Sequence, residues 1–135
     1  TGVREIVERL RAGLRTFRDE NGVELFDLPD APLGDPDAPA PVRFLPEYDN
    51  VFLSHADRTR IGDPEDKRRL GFGDGRFFKL LLVGGFVRAA WRVVDGDVVV
   101  KPARRLSRKD AAAVEAEGSR LAAFLGVGGV RILPA

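Results

Sequence analysis

Ser54, His55 and Asp57 are residue types that could serve as nucleophile, base and acid, and they lie within four positions of one another. A hydrolytic triad needs these groups to converge in space, and sequence neighbours rarely point at one another in that way. No glycine pattern of a nucleophile elbow surrounds Ser54. The same stretch offers His55, Asp57 and Asp49 to a metal, but one histidine with flexible carboxylates is a poor zinc set. The chain has no cysteine to contribute a thiolate, which also fits a reducing cytoplasm. Gly71, Gly73 and Gly75 resemble a phosphate loop in composition only. They precede a strand rather than join a strand to a helix, so they read as a turn. No catalytic residue, metal or cofactor is expected from these patterns.

What residues 45–60 do predict is a structural network. Leu45 and Pro46 end an incoming connection, and Val51, Phe52 and Leu53 form a short apolar run between two polar shoulders. Polar groups at the edge of a core must satisfy their own donors and acceptors. Asp49, Asn50 and Asp57 are therefore expected to cap turns, and Arg58 to pair with a carboxylate. His55, the single histidine, is expected to be largely buried and hydrogen-bonded.

Binding chemistry is concentrated elsewhere. Lys101, Arg104, Arg105, Arg108 and Lys109 put five cations within nine residues, around the start of a helix. Cations at a helix N-terminus oppose its dipole, so a role other than helix stability accounts better for their position. Net charge is only +1 with 22 basic residues, so attraction to nucleic acid must come from their placement.

The elements that position these residues follow from periodicity and turn chemistry. Val3, Ile6, Val7, Leu10 and Leu14 recur at helical spacing over residues 3–14. Runs at Leu14 to Phe17 and Val23 to Leu28 flank Asn21-Gly22, a strong hairpin signal. Pro29, Pro32, Pro36, Pro39 and Pro41 then deny the backbone its donors, predicting an extended strap over residues 29–43. The strap is acidic and lacks a basic anchor, which speaks against a ligand for an adaptor domain. Asp63 and Pro64 start a short helix that ends in Lys67, Arg68 and Arg69.

Three strands are expected at Arg76 to Val83, Phe86 to Val94 and Asp97 to Pro102, joined by the turns Gly84-Gly85 and Asp95-Gly96. Those turn lengths set Val83 opposite Phe86 and Val94 opposite Asp97, with Leu82 beside Val87 and Val93 beside Val98. Val87, Ala89, Trp91 and Val93 would form a core face, and Phe86, Arg88, Ala90 and Arg92 a basic outer one. Ser107 caps a last helix with Asp110 three residues on; Val114, Leu121, Phe124 and Leu125 mark its expected buried stripe, and Gly126 stops it. Val130 to Leu133 can add an edge strand before Pro134.

Leu45, Pro46, Tyr48, Asp49, Asn50, Ser54, His55, Asp57 and Arg58, spaced around their apolar run, resemble the signature of a bacterial winged-helix DNA-binding family. This is the family of the AlkZ and YcaQ crosslink-repair DNA glycosylases, and the likeness is greatest to its actinobacterial members. The resemblance implies a position in the C-terminal third of a longer protein, in a β-rich region that helps winged helices grip DNA. It also implies that catalysis belongs to a polar pair, typically two glutamines, in an N-terminal winged helix. This chain has neither Gln nor Met, so a fragment is expected, with any such machinery upstream of Thr1.

The fold expected is α+β. Residues 1–28 form a helix and wing-like hairpin, 29–43 a proline-rich linker, and 44–135 a small antiparallel sheet or partly closed barrel with a C-terminal helix. The function expected is a non-catalytic, cytoplasmic portion of a winged-helix protein. Its partners would be double-stranded DNA and upstream winged-helix domains, with no membrane. Arg88, Arg92, Lys101, Arg104, Arg105, Arg108 and Lys109 are the predicted DNA contacts. The alternative is an inter-domain scaffold without nucleic-acid contact.

Overall fold

The computed structural model describes residues 2–71 and 79–135. Gly73, Gly75 and the expected start of a strand at Arg76 lie outside the described residues. The chain divides into two compact units, Thr1–Ala38 and Pro39–Ala135.

In the first unit, helix α1 (Val3–Leu10) runs into a 3-10 turn and then strands β1 (Arg15–Arg18) and β2 (Glu24–Asp27). The strands pair antiparallel, with Arg15 opposite Asp27 and Arg18 opposite Glu24. Asp19 organises the connection, because its Oδ1 accepts from the Asn21 and Val23 amides at 2.9 and 2.8 Å while Gly22 takes φ 77°. Arg11 pairs with Glu24 and Glu8 and lies 5.0 Å from the Phe26 ring centre. The helix is shorter than its periodicity suggested and buries none of its residues; Val3 is 70% exposed. Its amphipathic pattern is not read out as core in this chain.

The second unit is built on a five-stranded sheet in the order β3-β4-β5-β6-β7. These are β3 (Arg43–Phe44), β4 (Lys79–Val83), β5 (Phe86–Val94), β6 (Asp97–Pro102) and β7 (Val130–Ile132). Both glycine turns impose the expected register: Val83 faces Phe86, Leu82 faces Val87, Val94 faces Asp97 and Val93 faces Val98. Gly84 and Gly85 take φ 60° and 83°, and Asp95 and Gly96 take 51° and 81°, the left-handed values a two-residue hairpin turn requires. The edge strand at the C-terminus also forms. It runs parallel to β6 across helix α4 (Arg108–Leu125), so the sheet is antiparallel except at that edge and does not close into a barrel. β3, at the other edge, comes from the end of the strap.

A bulge alters the expected faces. Leu81 pairs with Ala89 and Leu82 with Val87, so Arg88 is an extra residue on β5. Val87 is thereby turned away from Ala89 and Trp91, and the sheet carries apolar residues on both faces. One face packs Leu81, Ala89, Trp91, Val98 and Val100 with Val114 and Ala122 of α4. The other packs Leu80, Leu82, Val87, Ala90 and Ala103 with Phe52 of α2 (Asn50–Leu53) and with Leu70, which follows α3 (Pro64–Arg69). Ala90 is thus a core residue, not part of a basic outer face. The Val87 amide, turned outward, donates to the Ile61 carbonyl at 2.6 Å, and the Arg88 carbonyl accepts from Ala103 at 2.9 Å.

The buried stripe of α4 also differs from the pattern read in sequence. Val114, Gly118 and Ala122 are buried, while Phe124 is 86% exposed and Leu125 also faces solvent. Gly118 decides this, because a Cβ there would stand 2.6 Å from Val130 Cγ2 and 3.3 Å from Phe44 Cζ. The helix lies too close to the sheet at that point for any side chain, and larger residues are rotated off the contact. Ser107 caps α4 as expected, accepting from the Asp110 amide at 3.1 Å, and Gly126 ends it at φ 68°.

Candidate nucleic-acid interface

Residues 45–60 contribute Leu45 and Phe52 to the apolar cluster on the α3 side of the sheet. Leu45 is buried; its amide donates to Leu80 at 2.7 Å and its carbonyl accepts from the buried Trp91 Nε1 at 2.9 Å. The Trp91 ring also meets Phe44 edge-on at 5.5 Å. Pro46 is exposed, and Tyr48 takes a left-handed φ of 64° that turns the chain into α2. Asp49 then caps the helix by accepting from the Val51 amide at 2.8 Å. Asn50 supplies the carbonyl that receives the Ser54 hydroxyl. Asp57 accepts from the amide and hydroxyl of Thr59, bonds that hold its carboxyl below the ordinary range.

Two expectations fail in this stretch. His55 is exposed and has no hydrogen-bond partner among the described residues. A single helical turn buries only Phe52, so the chain beyond Leu53 emerges at the rim rather than beneath a core. Arg58 pairs with no carboxylate among the described residues. Its guanidinium lies 5.1 Å from the Phe52 ring centre, with Lys67 Nζ at 5.5 Å from the same ring. Lys67 Nζ donates to the Arg58 carbonyl at 3.1 Å, and burial, helped by the Arg58 charge, lowers its pKa. With Ser54 committed to Asn50 and His55 in solvent, Ser54, His55 and Asp57 do not converge. Among the described residues no group of His, Asp and Glu could hold a metal.

The basic residues separate into two sets. Arg104 Nε binds the Asp66 carboxylate, and its Nη2 lies 2.8 Å from Asp63 and 3.3 Å from Glu65. Arg88 reaches the other Asp66 oxygen at 3.4 Å. The hydrogen bond to Asp66 raises the Arg104 pKa further. Asp63 is held low chiefly by the Glu65 amide, and Glu65 chiefly by Arg69. Arg88 and Arg104 therefore meet three carboxylates of α3 and its cap. The second set is Arg92, Lys101, Arg105, Arg108 and Lys109. All five are exposed, and none has an ion-pair partner among the described residues. Arg92 and Lys101 lie on the α3 side of the sheet; Arg105 precedes α4, and Arg108 and Lys109 are in its first turn.

A family model of AlkZ-like DNA glycosylases matches residues 1–124. The chain belongs to the AlkZ-like DNA glycosylase family. Among solved structures, the Streptomyces sahachiroi DNA glycosylase AlkZ is similar, at 23% identity and a TM-score of 0.62. The likeness covers 96% of this chain and 36% of that one, so this chain spans little more than a third of that protein's length. At this identity it shows a shared α+β fold. No curated protein matches the chain. The AlkZ-like match takes in both compact units and stops within α4, ahead of β7. Among the described residues no helix is long and apolar enough to cross a membrane.

Asp66 is the site residue that sequence reasoning missed. It is 1% exposed and anchors both neutralised arginines. Its signal was positional: four residues before the buried Leu70, it shares that residue's helical face, so a carboxylate was directed into the core and required a cation.

Proposed function

We propose that this chain is a DNA-binding, non-catalytic portion of a cytoplasmic DNA-repair protein of the glycosylase type, acting on double-stranded DNA. One observation carries the reading: in a chain of the AlkZ-like family, Arg92, Lys101, Arg105, Arg108 and Lys109 are exposed without ion-pair partners among the described residues. Arg108 and Lys109 oppose the dipole of α4, a position that helix stability does not explain and anion contact does. Arg88 and Arg104 are taken up by Asp66, Asp63 and Glu65 and contribute little to such contact. In this reading α1 and the β1–β2 hairpin, within residues 1–28, are the end of a winged helix. Residues 29–43 are a linker, and residues 44–135 form the β-rich domain.

The test is a salt-dependent titration with duplex DNA. Phosphate binding predicts weak, sequence-insensitive affinity, with log K falling against log salt by about 0.9 per contacted phosphate. Replacing Arg105, Arg108 and Lys109 by Gln should weaken binding and flatten that slope by roughly 2 to 3 units. The chain alone should excise no alkylated or crosslinked base, because it has no glutamine to match the pair that the resemblance implies for catalysis and its Ser54, His55 and Asp57 do not converge. Excision by the purified chain, or absence of binding at low salt, contradicts this reading. The competing reading, an inter-domain scaffold, is favoured by the paired state of Arg88 and Arg104 and by the exposed apolar face of α1. Failure to bind at low salt would leave that reading in place.

A further inference from the structure

We propose that Arg131 joins Arg92 and Lys101 in a row of cations that seats the phosphate backbone of duplex DNA on the sheet face beside α3. The proposal rests on the DNA-binding reading and adds to it a surface and a residue that lies beyond the family match. The register supplies the geometry. Across β5 and β6, Arg92 is paired with Val99 and Ala90 with Lys101; across β6 and β7, Arg131 is paired with the same Val99. Directly paired residues share a face, and residues two apart on a strand share it as well. Val99 thus has an arginine on either side, and Lys101 follows it along β6. With strands about 4.8 Å apart, the Arg92 and Arg131 backbones lie about 10 Å apart across three strands.

Burial agrees with this layout. Val99 is 6% exposed yet belongs to neither of the two apolar clusters of the sheet. The long stems of cationic neighbours are what the register lays over it, leaving their charged heads in solvent. The Ala90 end of the same face is covered by Phe52 and Leu70, and the row starts at the border of that cover with Lys101, which is paired with Ala90 and exposed. Charge points the same way. Among the described residues, Arg92 and Lys101 have no ion-pair partner and Arg131 meets only Asp97, at 3.1 Å, with its side chain still half exposed. Among the described residues the three cations have one carboxylate partner, Asp97, while the acids of α3 and its cap are occupied by Arg88 and Arg104. Guanidinium heads at two separated points suit successive phosphates better than a single compact anion.

The experiment compares salt slopes for duplex binding by the whole chain. Arg92→Gln, Lys101→Gln and Arg131→Gln together should flatten the slope by roughly 2 to 3 units. Loss of Arg131 could loosen β7 through Asp97, so Arg92→Gln with Lys101→Gln serves as a variant that leaves β7 intact. That pair should flatten the slope by roughly 2 units at an unchanged melting temperature. If wild type binds and the Arg105, Arg108 and Lys109 variant weakens binding, but both row variants keep the wild-type slope, the row is overturned and the DNA reading stands. If wild type does not bind at low salt, both fall.

Discussion

The α3-side face of the sheet has two halves that differ only in what packs on them. On one, α2 and α3 bring Phe52 and Leu70 against the strands, and Asp66 enters with them as a buried carboxylate. Arg88 and Arg104 lie at the edge of that cover and are drawn into ion pairs. On the other half no helix among the described residues contributes to a cluster around Val99, and Arg92 there and Lys101 at the border keep their charge for solvent. Arg88 and Arg92 are four residues apart on one strand, and Arg104 and Arg105 are neighbours. Local charge density does not distinguish these residues; the position of α3 does. A basic cluster in sequence is an upper bound on the charge a surface offers.

This contrast is most sharply broken at Asp66. Asp66→Ala should destabilise the chain by about 2 to 3 kcal/mol in urea denaturation, because it removes charge-assisted bonds from a buried position. The duplex affinity of the folded molecule should not fall. An unchanged midpoint would show that the covered half is not held by this carboxylate. On the opposite face, Gly118→Ala should cost about 1 kcal/mol. Overpacking against Val130 and Phe44 outweighs the gain in helix propensity, and adding Val130→Ala should restore part of the loss. A stabilised Gly118→Ala would mean that α4 stands farther from the sheet.

Acid should weaken the covered half selectively. Asp63 and Glu65 have depressed native pKa values, so each stabilises the fold above its unfolded value, near 4, and ceases to do so as pH falls through the lower native one. The melting temperature should decline from about pH 5 downward, and Asp63→Asn with Glu65→Gln should make that decline shallower. Arg92→Gln with Lys101→Gln should leave the curve unchanged. The smallest effect is expected at His55, where His55→Ala should change stability by no more than about 0.5 kcal/mol, since the ring is exposed and has no hydrogen-bond partner among the described residues. A larger loss would restore the buried network that the sequence suggested.

Glycine and capping chemistry made much of the fold legible in advance. Gly84-Gly85 and Asp95-Gly96 admit left-handed backbone and so fixed the pairing of β4, β5 and β6; Ser107 and Gly126 marked the ends of α4. The bulge at Arg88 has no local signature, because one extra residue changes faces without changing composition. β3 was hidden at the end of a proline-rich strap, and only the alternation of Val42 and Phe44 hinted at it. The exposure of Phe124 depends on how closely Gly118 meets Val130, a contact between elements distant in sequence. The candidate interface was legible as a list of cations. Which of them remain free depended on Asp66, and the place of Arg131 depended on a parallel pairing that no turn announces.

Amide chemical-shift mapping of the isotopically labelled chain, titrated with duplex DNA at low salt, tests the division between the two halves directly. The prediction is that shifts gather at Arg92, Lys101, Arg105, Arg108, Lys109 and Arg131, while residues 57–70 stay unperturbed. Shifts centred on Asp63, Glu65 and Asp66 with the uncovered half silent would contradict it.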